Sequence, residues 1–160
     1  MGYYYSGGAG NSDPDASLGG AKSTTAVGET LNDLFDDVSG AESEVGDTEY
    51  RCIYWQNESG GTLENCHAII ESQPSGDDSF QIGKDLAGKN GTADTIADED
   101  TAPDPAVTFD DAEDYDNGID LSDLDDDDYY AIWVKRTCPA EATAGTSSWT
   151  LRVRGESAGS

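Results

Sequence analysis

The chain has 160 residues, with 34 acids against 8 bases, a formal net charge of -26 and 35% hydrophobic residues. That length suits one domain with a modest core. The charge argues against a nucleic-acid binder and against docking on an anionic membrane, since both surfaces would repel it, and no apolar run approaches the ~20 residues that span a bilayer.

Residues 1–28 are rich in Gly, Ser, Ala, Asp and Thr and carry the turn signals Gly7-Gly8, Asp13-Pro14 and Gly19-Gly20, so they read as an extended arm. The start of the chain has no basic flank and no apolar stretch of the kind a secretory signal needs, so we expect a protein made and used without signal-peptide export. Tyr3, Tyr4 and Tyr5 at the arm's tip have two readings. They pack against their own domain, or they dock on a neighbouring subunit, where tyrosine supplies contact area at low entropy cost. Residues 29–48 read as a connector, with Thr30 as the cap of one short helical turn ending at Phe35.

Residues 49–160 then read as a sandwich built from short strands. Tyr50 to Gln56 is dense in apolar residues on both faces, which predicts a strand covered on both sides. Cys66 to Glu71, Phe80 to Gly83, Thr92 to Ile96 and Val107 to Phe109 follow as shorter strands, and Asn117-Gly118 marks a tight turn. Tyr129 to Thr137 is the strongest strand. Trp149, Leu151 and Val153 alternate with polar residues as a half-buried last one. The pattern predicts an all-β fold, an immunoglobulin-like β-sandwich with a jelly roll as the alternative. Leu124, Tyr130, Ile132 and Val134 have the spacing of the tyrosine-corner strand of such sandwiches.

A charge of this size accompanies either disorder or a fold adapted to concentrated salt. Disorder needs few aromatics, whereas 3 Trp, 8 Tyr and 3 Phe gather here in the strand-like runs. In molar salt the Debye length shrinks to roughly 3 Å, and the self-repulsion that would weaken the fold in dilute buffer largely vanishes. A halophilic source follows.

No constellation of residues predicts catalysis. Sixteen acids and no base lie between Lys89 and Lys135. Placing Gly118 at the sixth position of a calcium loop puts Leu124 where the bidentate Glu belongs, so that reading fails. Asp125 to Asp128 read as a solvated loop, with loose cation collection as the lesser alternative. His67 has no triad partners around it, and Cys52, Cys66 and Cys138 lack zinc spacing. We therefore expect no enzyme, no metal and no cofactor. Cys66 begins one strand and Cys138 ends another; were the two strands antiparallel neighbours, the pair would meet and close a disulfide, the other reading being three buried free thiols. Trp55 and Trp133 are the candidate glycan platforms, although their strand positions favour the core.

Three blocks resemble small virion structural proteins of tailed viruses: Tyr4 to Ala9 with Asn11 to Gly20 and Ser23 to Thr25, then Leu34 to Gln56, then Asp128 to Thr137. With the acidity, the resemblance implies a tailed virus of halophilic archaea. Within the virion we expect a decoration or turret subunit on the capsid exterior, with a tail or baseplate component as the alternative and a halophilic carbohydrate-binding surface module as the reading from another class. The expected partners are other virion proteins and further copies of the chain, reached through the arm tyrosines Tyr3, Tyr4 and Tyr5. No nucleic acid or membrane is expected, and the location is the virion, assembled in host cytoplasm.

Overall fold

A computed structural model describes residues 2–28, 34–35, 44–74, 77–141 and 149–157. They form seven strands: β1 (Gly2–Tyr5), β2 (Asp47–Gln56), β3 (Leu63–Ser72), β4 (Ser79–Lys89), β5 (Ile119–Leu124), β6 (Tyr129–Cys138) and β7 (Thr150–Ser157). Sheet one has the order β1-β2-β6-β4 and sheet two the order β5-β3-β7, with every pairing antiparallel. The fold is an all-β sandwich. Among the described residues no helix is long and apolar enough to cross a membrane.

Alternation decides which side chains face which layer. Ile53, Trp55, Tyr130, Ile132 and Val134 of sheet one meet Cys66, Ala68, Ile70, Leu121, Leu124 and Val153 of sheet two in the core between the sheets. The intervening Cys52, Tyr54, Ala131 and Trp133 point the other way and are buried too. Ala93 and Ile96 roof them, with Leu18, Val107 and Phe109 packed alongside. Sheet one is therefore covered on both faces, as the doubly apolar Tyr50 to Gln56 run predicts.

The roof corrects two strand expectations. Thr92 to Ile96 and Val107 to Phe109 form no strands; they run over sheet one, with Ala93 bridged to Gly20 of the N-terminal segment and Asp110, just past the second run, bridged to Ile82 of β4. The approach is close enough to require glycine. A Cβ on Gly19 (φ +98°) would sit 2.1 Å from the Asp94 carbonyl oxygen, and one on Gly83 would sit 2.3 Å from that of Thr108.

The arm is corrected as well. Residues 2–28 do not extend from the domain. β1 is a strand of sheet one, with Tyr3 opposite Trp55 and Tyr5 opposite Ile53. Its outer edge is covered by the returning chain, which donates Ser23 N to Tyr5 O and Val27 N to Tyr3 O, both at 2.8 Å. Past β1 the chain keeps following β2, where Cys52 N donates to Ser17 O at 2.8 Å. The helical turn expected at Thr30 to Phe35 falls mostly outside the described residues, of which Leu34 and Phe35 are both buried.

Candidate functional site

The three N-terminal tyrosines separate by alternation. Tyr5 enters the core between the sheets. Tyr4 faces outward, donates to the Glu58 carboxylate and carries Lys22 Nζ 3.9 Å above its ring. Tyr3 spans the flank of the sandwich: its hydroxyl donates to Leu151 O at 3.1 Å and accepts from Val153 N at 3.2 Å, both on β7. Burial pushes its phenol up to about 12, against the opposing pull of the Val153 bond. All three make contacts within their own domain, the first of their two readings.

Serines fix the rest of the segment. Ser6 and Ser17, both fully buried, donate their hydroxyls to the Cys52 carbonyl, and Ser6 Oγ accepts from Gly19 N at 3.0 Å. Asn11 holds Ser6 O and Asp13 O through its amide. Tyr54 ties the roof down, donating to Gly20 O at 2.6 Å and accepting from Ala93 N at 3.0 Å. Tyr130, placed by its spacing at a tyrosine corner, instead packs between the sheets, and its hydroxyl makes no upstream bond among the described residues.

A buried charge group closes one end of sheet one. Glu49 and Arg136 are register partners across β2 and β6 and form an ion pair. Arg51, with no exposed surface, reaches Glu99 at 2.7 Å, Asp15 at 3.1 Å and the Leu34 carbonyl at 3.0 Å. The guanidinium groups of Arg51 and Arg136 both lie against the Phe35 ring, 5.1 and 4.8 Å from its centre. Two arginines on one ring pin this part of the connector to the sandwich.

The cysteines are free and buried. The Cys66–Cys138 disulfide fails because β3 pairs with β5 and β7, never with β6. Cys66 lies opposite Ser122, near the β5–β6 turn where β6 begins, whereas Cys138 is the last residue of β6 and sits opposite Asp47. A ten-residue strand places them at opposite ends of the sandwich. Burial pushes the Cys66 thiol up to about 11 and raises Cys52 and Cys138 as well.

Asp125 to Asp128 bond within and around the turn. Asp126 accepts from Gly60 N, Asp125 from Thr62 Oγ1, and Asp128 from Asn90 Nδ2 and Asp125 N. No group of three potential ligands comes together among the described residues. His67 meets Tyr115 edge-on and its Nδ1 bonds Asn65 O two residues earlier on β3. Trp55 and Trp133 are each 1% exposed, so neither offers a face to a sugar ring.

The feature most like a receptor among the described residues lies where sequence reading saw only a short strand. β4 continues past Gly83 and bulges: Asp85 to Gly88 stand opposite Ala131 alone, between the pairs Lys84–Ile132 and Lys89–Tyr130. The bulge folds Asp85 inward until it is 8% exposed, and throws Leu86 outward to 64%. Asp85 Oδ1 accepts from Trp133 Nε1 at 2.9 Å and Oδ2 accepts from Ala87 N at 2.8 Å. A cavity of about 250 Å³ opens above them, rimmed by Asp94 and Asp104 and walled by Leu86 and Ile96. Leu86 also borders a second hollow of about 290 Å³ beside Lys84, Asp110 and Asp120. The signal in the sequence was the break in alternation across Lys84-Asp85-Leu86-Ala87-Gly88.

No family model matches the chain, and neither a curated protein nor a solved structure matches it.

Proposed function

We propose that the chain is a structural protein of the virion exterior, a decoration or turret subunit of a tailed virus, and that its sandwich faces concentrated salt. The observation that carries this reading is the place of the resembling N-terminal block. Ser6 and Ser17 bind residues 2–28 to the Cys52 carbonyl of β2, Leu18 O and Gly20 N tie them to Ile96 and Ala93 of the roof, and Asn11, Asp13 and Gly19 brace the segment internally. The resemblance to virion proteins thus rests on residues that make the fold, not on a detachable tail, and the contact with the particle is made by the folded domain.

Charge placement supports the same reading. Each of the four lysines is turned onto its own domain: Lys22 over Tyr4, Lys135 toward Phe109, and Lys84 and Lys89 onto carbonyls of β5. Arg51 and Arg136 are buried. The outer surface is left overwhelmingly to carboxylates, whose strong hydration keeps a displayed domain soluble in brine. Strand order supports the immunoglobulin-like class within the sandwich. With β5 set aside, the strands in chain order fall into sheets A-B-E-D and C-F, and β5 flanks β3 on the side a C′ strand takes.

The test is mass spectrometry of purified particles combined with surface labelling by a carboxylate-directed reagent that does not enter the head. The expected result is the chain at high copy number with its loop aspartates labelled. Absence from the particle, or a chain protected until the head is opened, would contradict the proposal.

A further inference from the structure

We propose that the Asp85 cavity is a binding site for a small organic ammonium ion, an alkylammonium group with a short aliphatic body. The site is independent of where the domain sits on a particle. Asp85 is a buried carboxylate whose oxygens take bonds from two neutral donors, the Trp133 indole and the Ala87 amide. No base among the described residues lies within ion-pair distance of it. Buried charges are ordinarily paired, so this one has room for positive charge beside it. The cavity above it is lined also by Asp94 and Asp104 and by no basic residue.

The walls select the kind of cation. No three carboxylates converge closely enough to ligate a metal ion among the described residues. Leu86 and Ile96 instead present hydrocarbon, which stabilises an alkyl body and gives nothing to a hydrated alkali ion. A volume of about 250 Å³ lies just below the usual range for ligand pockets and suits a molecule of a few heavy atoms. Concentrated salt sharpens the choice. Exposed charges are screened beyond roughly 3 Å at molar strength, while a buried carboxylate is screened far less, so Asp85 keeps its pull and rim aspartates contribute little.

The test follows the indole N–H resonance of Trp133 in the folded, ¹⁵N-labelled chain in concentrated KCl at constant ionic strength. The titrants are n-butylammonium, its neutral isostere n-butanol, and Mg²⁺. The expected result is a saturable shift with n-butylammonium alone. Asp85→Asn retains an acceptor for Trp133 but not the charge and is expected to weaken binding by about tenfold or more. Leu86→Ser, at an exposed position that folding tolerates, removes part of the wall and is expected to weaken binding about threefold, which keeps the test decisive should Asp85→Asn fail to fold. An equal shift with n-butanol, an equal shift with Mg²⁺, no saturable shift at all, or full binding by either folded variant would overturn the assignment.

Discussion

The two flanks of the sandwich are closed by opposite chemistry. On one side β1 and β7 are joined by the Tyr3 hydroxyl, a neutral group that serves one backbone acceptor and one backbone donor. On the other side β4 and β5 are joined by ammonium groups, Lys84 Nζ to Asp120 O at 2.8 Å and Lys89 Nζ to Asp123 O at 3.4 Å. Unpaired strand edges invite association with other chains, and both devices occupy them. They differ in what disturbs them. The tyrosine is largely buried and indifferent to salt, whereas the lysines are exposed and rely on local charge. In so acidic a chain, committing half the lysines to a sheet edge shows how strongly that edge needs cover.

The contrast between the flanks breaks most severely when the first is removed altogether. Deleting residues 2–28 strips β1, uncovers the β2 edge and opens the roof over Tyr54; the remaining chain is expected not to fold cooperatively, as read by near-ultraviolet circular dichroism in concentrated KCl. Tyr3→Phe is milder. It keeps the ring but orphans Leu151 O and Val153 N, an expected loss of about 1–3 kcal/mol in a denaturant titration.

The tyrosine flank also carries a pH signature. The Tyr3 phenol is raised by burial to about 12 from an unfolded value of about 10. Its raised value favours the protonated, folded form, so its contribution is complete below about pH 10 and is lost as pH climbs through 12. The raised thiol of Cys66 begins to contribute loss earlier, from about pH 9. The difference between wild type and Tyr3→Phe is therefore expected to be constant below pH 10 and to narrow above it, in thermal melts across that range.

The lysine flank gives the smallest effect. Lys84→Met and Lys89→Met keep the aliphatic stems and lose exposed donors, with an expected cost under about 1 kcal/mol each that shrinks further as KCl is raised. A Tyr3→Phe cost that fell with salt to the same extent would erase the distinction between the flanks.

The legible parts of the fold were those where side-chain pattern and burial agree. β2 and β6 were readable because both of their faces are covered, and β7 because Leu151 and Val153 alternate cleanly. β5 was missed because Ser122, in a left-handed conformation at φ 64°, breaks the alternation of Ile119 and Leu121 before Leu124. β1 was missed because Gly2 and three tyrosines in a row carry no alternation, and because a glycine- and serine-rich stretch looks solvent-exposed until Ser6 and Ser17 find the Cys52 carbonyl. The disulfide expectation failed on strand order, which no local pattern encodes: it needed β3 beside β6, and the sandwich sends them to different sheets. Asp85 was hidden among 34 acids. Its distinction is the β4 bulge, a register property that emerges only when Lys84 and Lys89 are set against Ile132 and Tyr130.

The central claim is that residues 2–28 are an integral layer of the folded domain. Amide hydrogen exchange of the intact chain in concentrated KCl tests it most directly. The amides of Tyr5, Gly20, Ser23 and Val27, each bonded within the N-terminal layer or to the roof, are expected to be protected to the same order as those of β2. Exchange of these amides at the rate of an unstructured peptide, with β2 still protected, would contradict the account and return the segment to the role of a free arm.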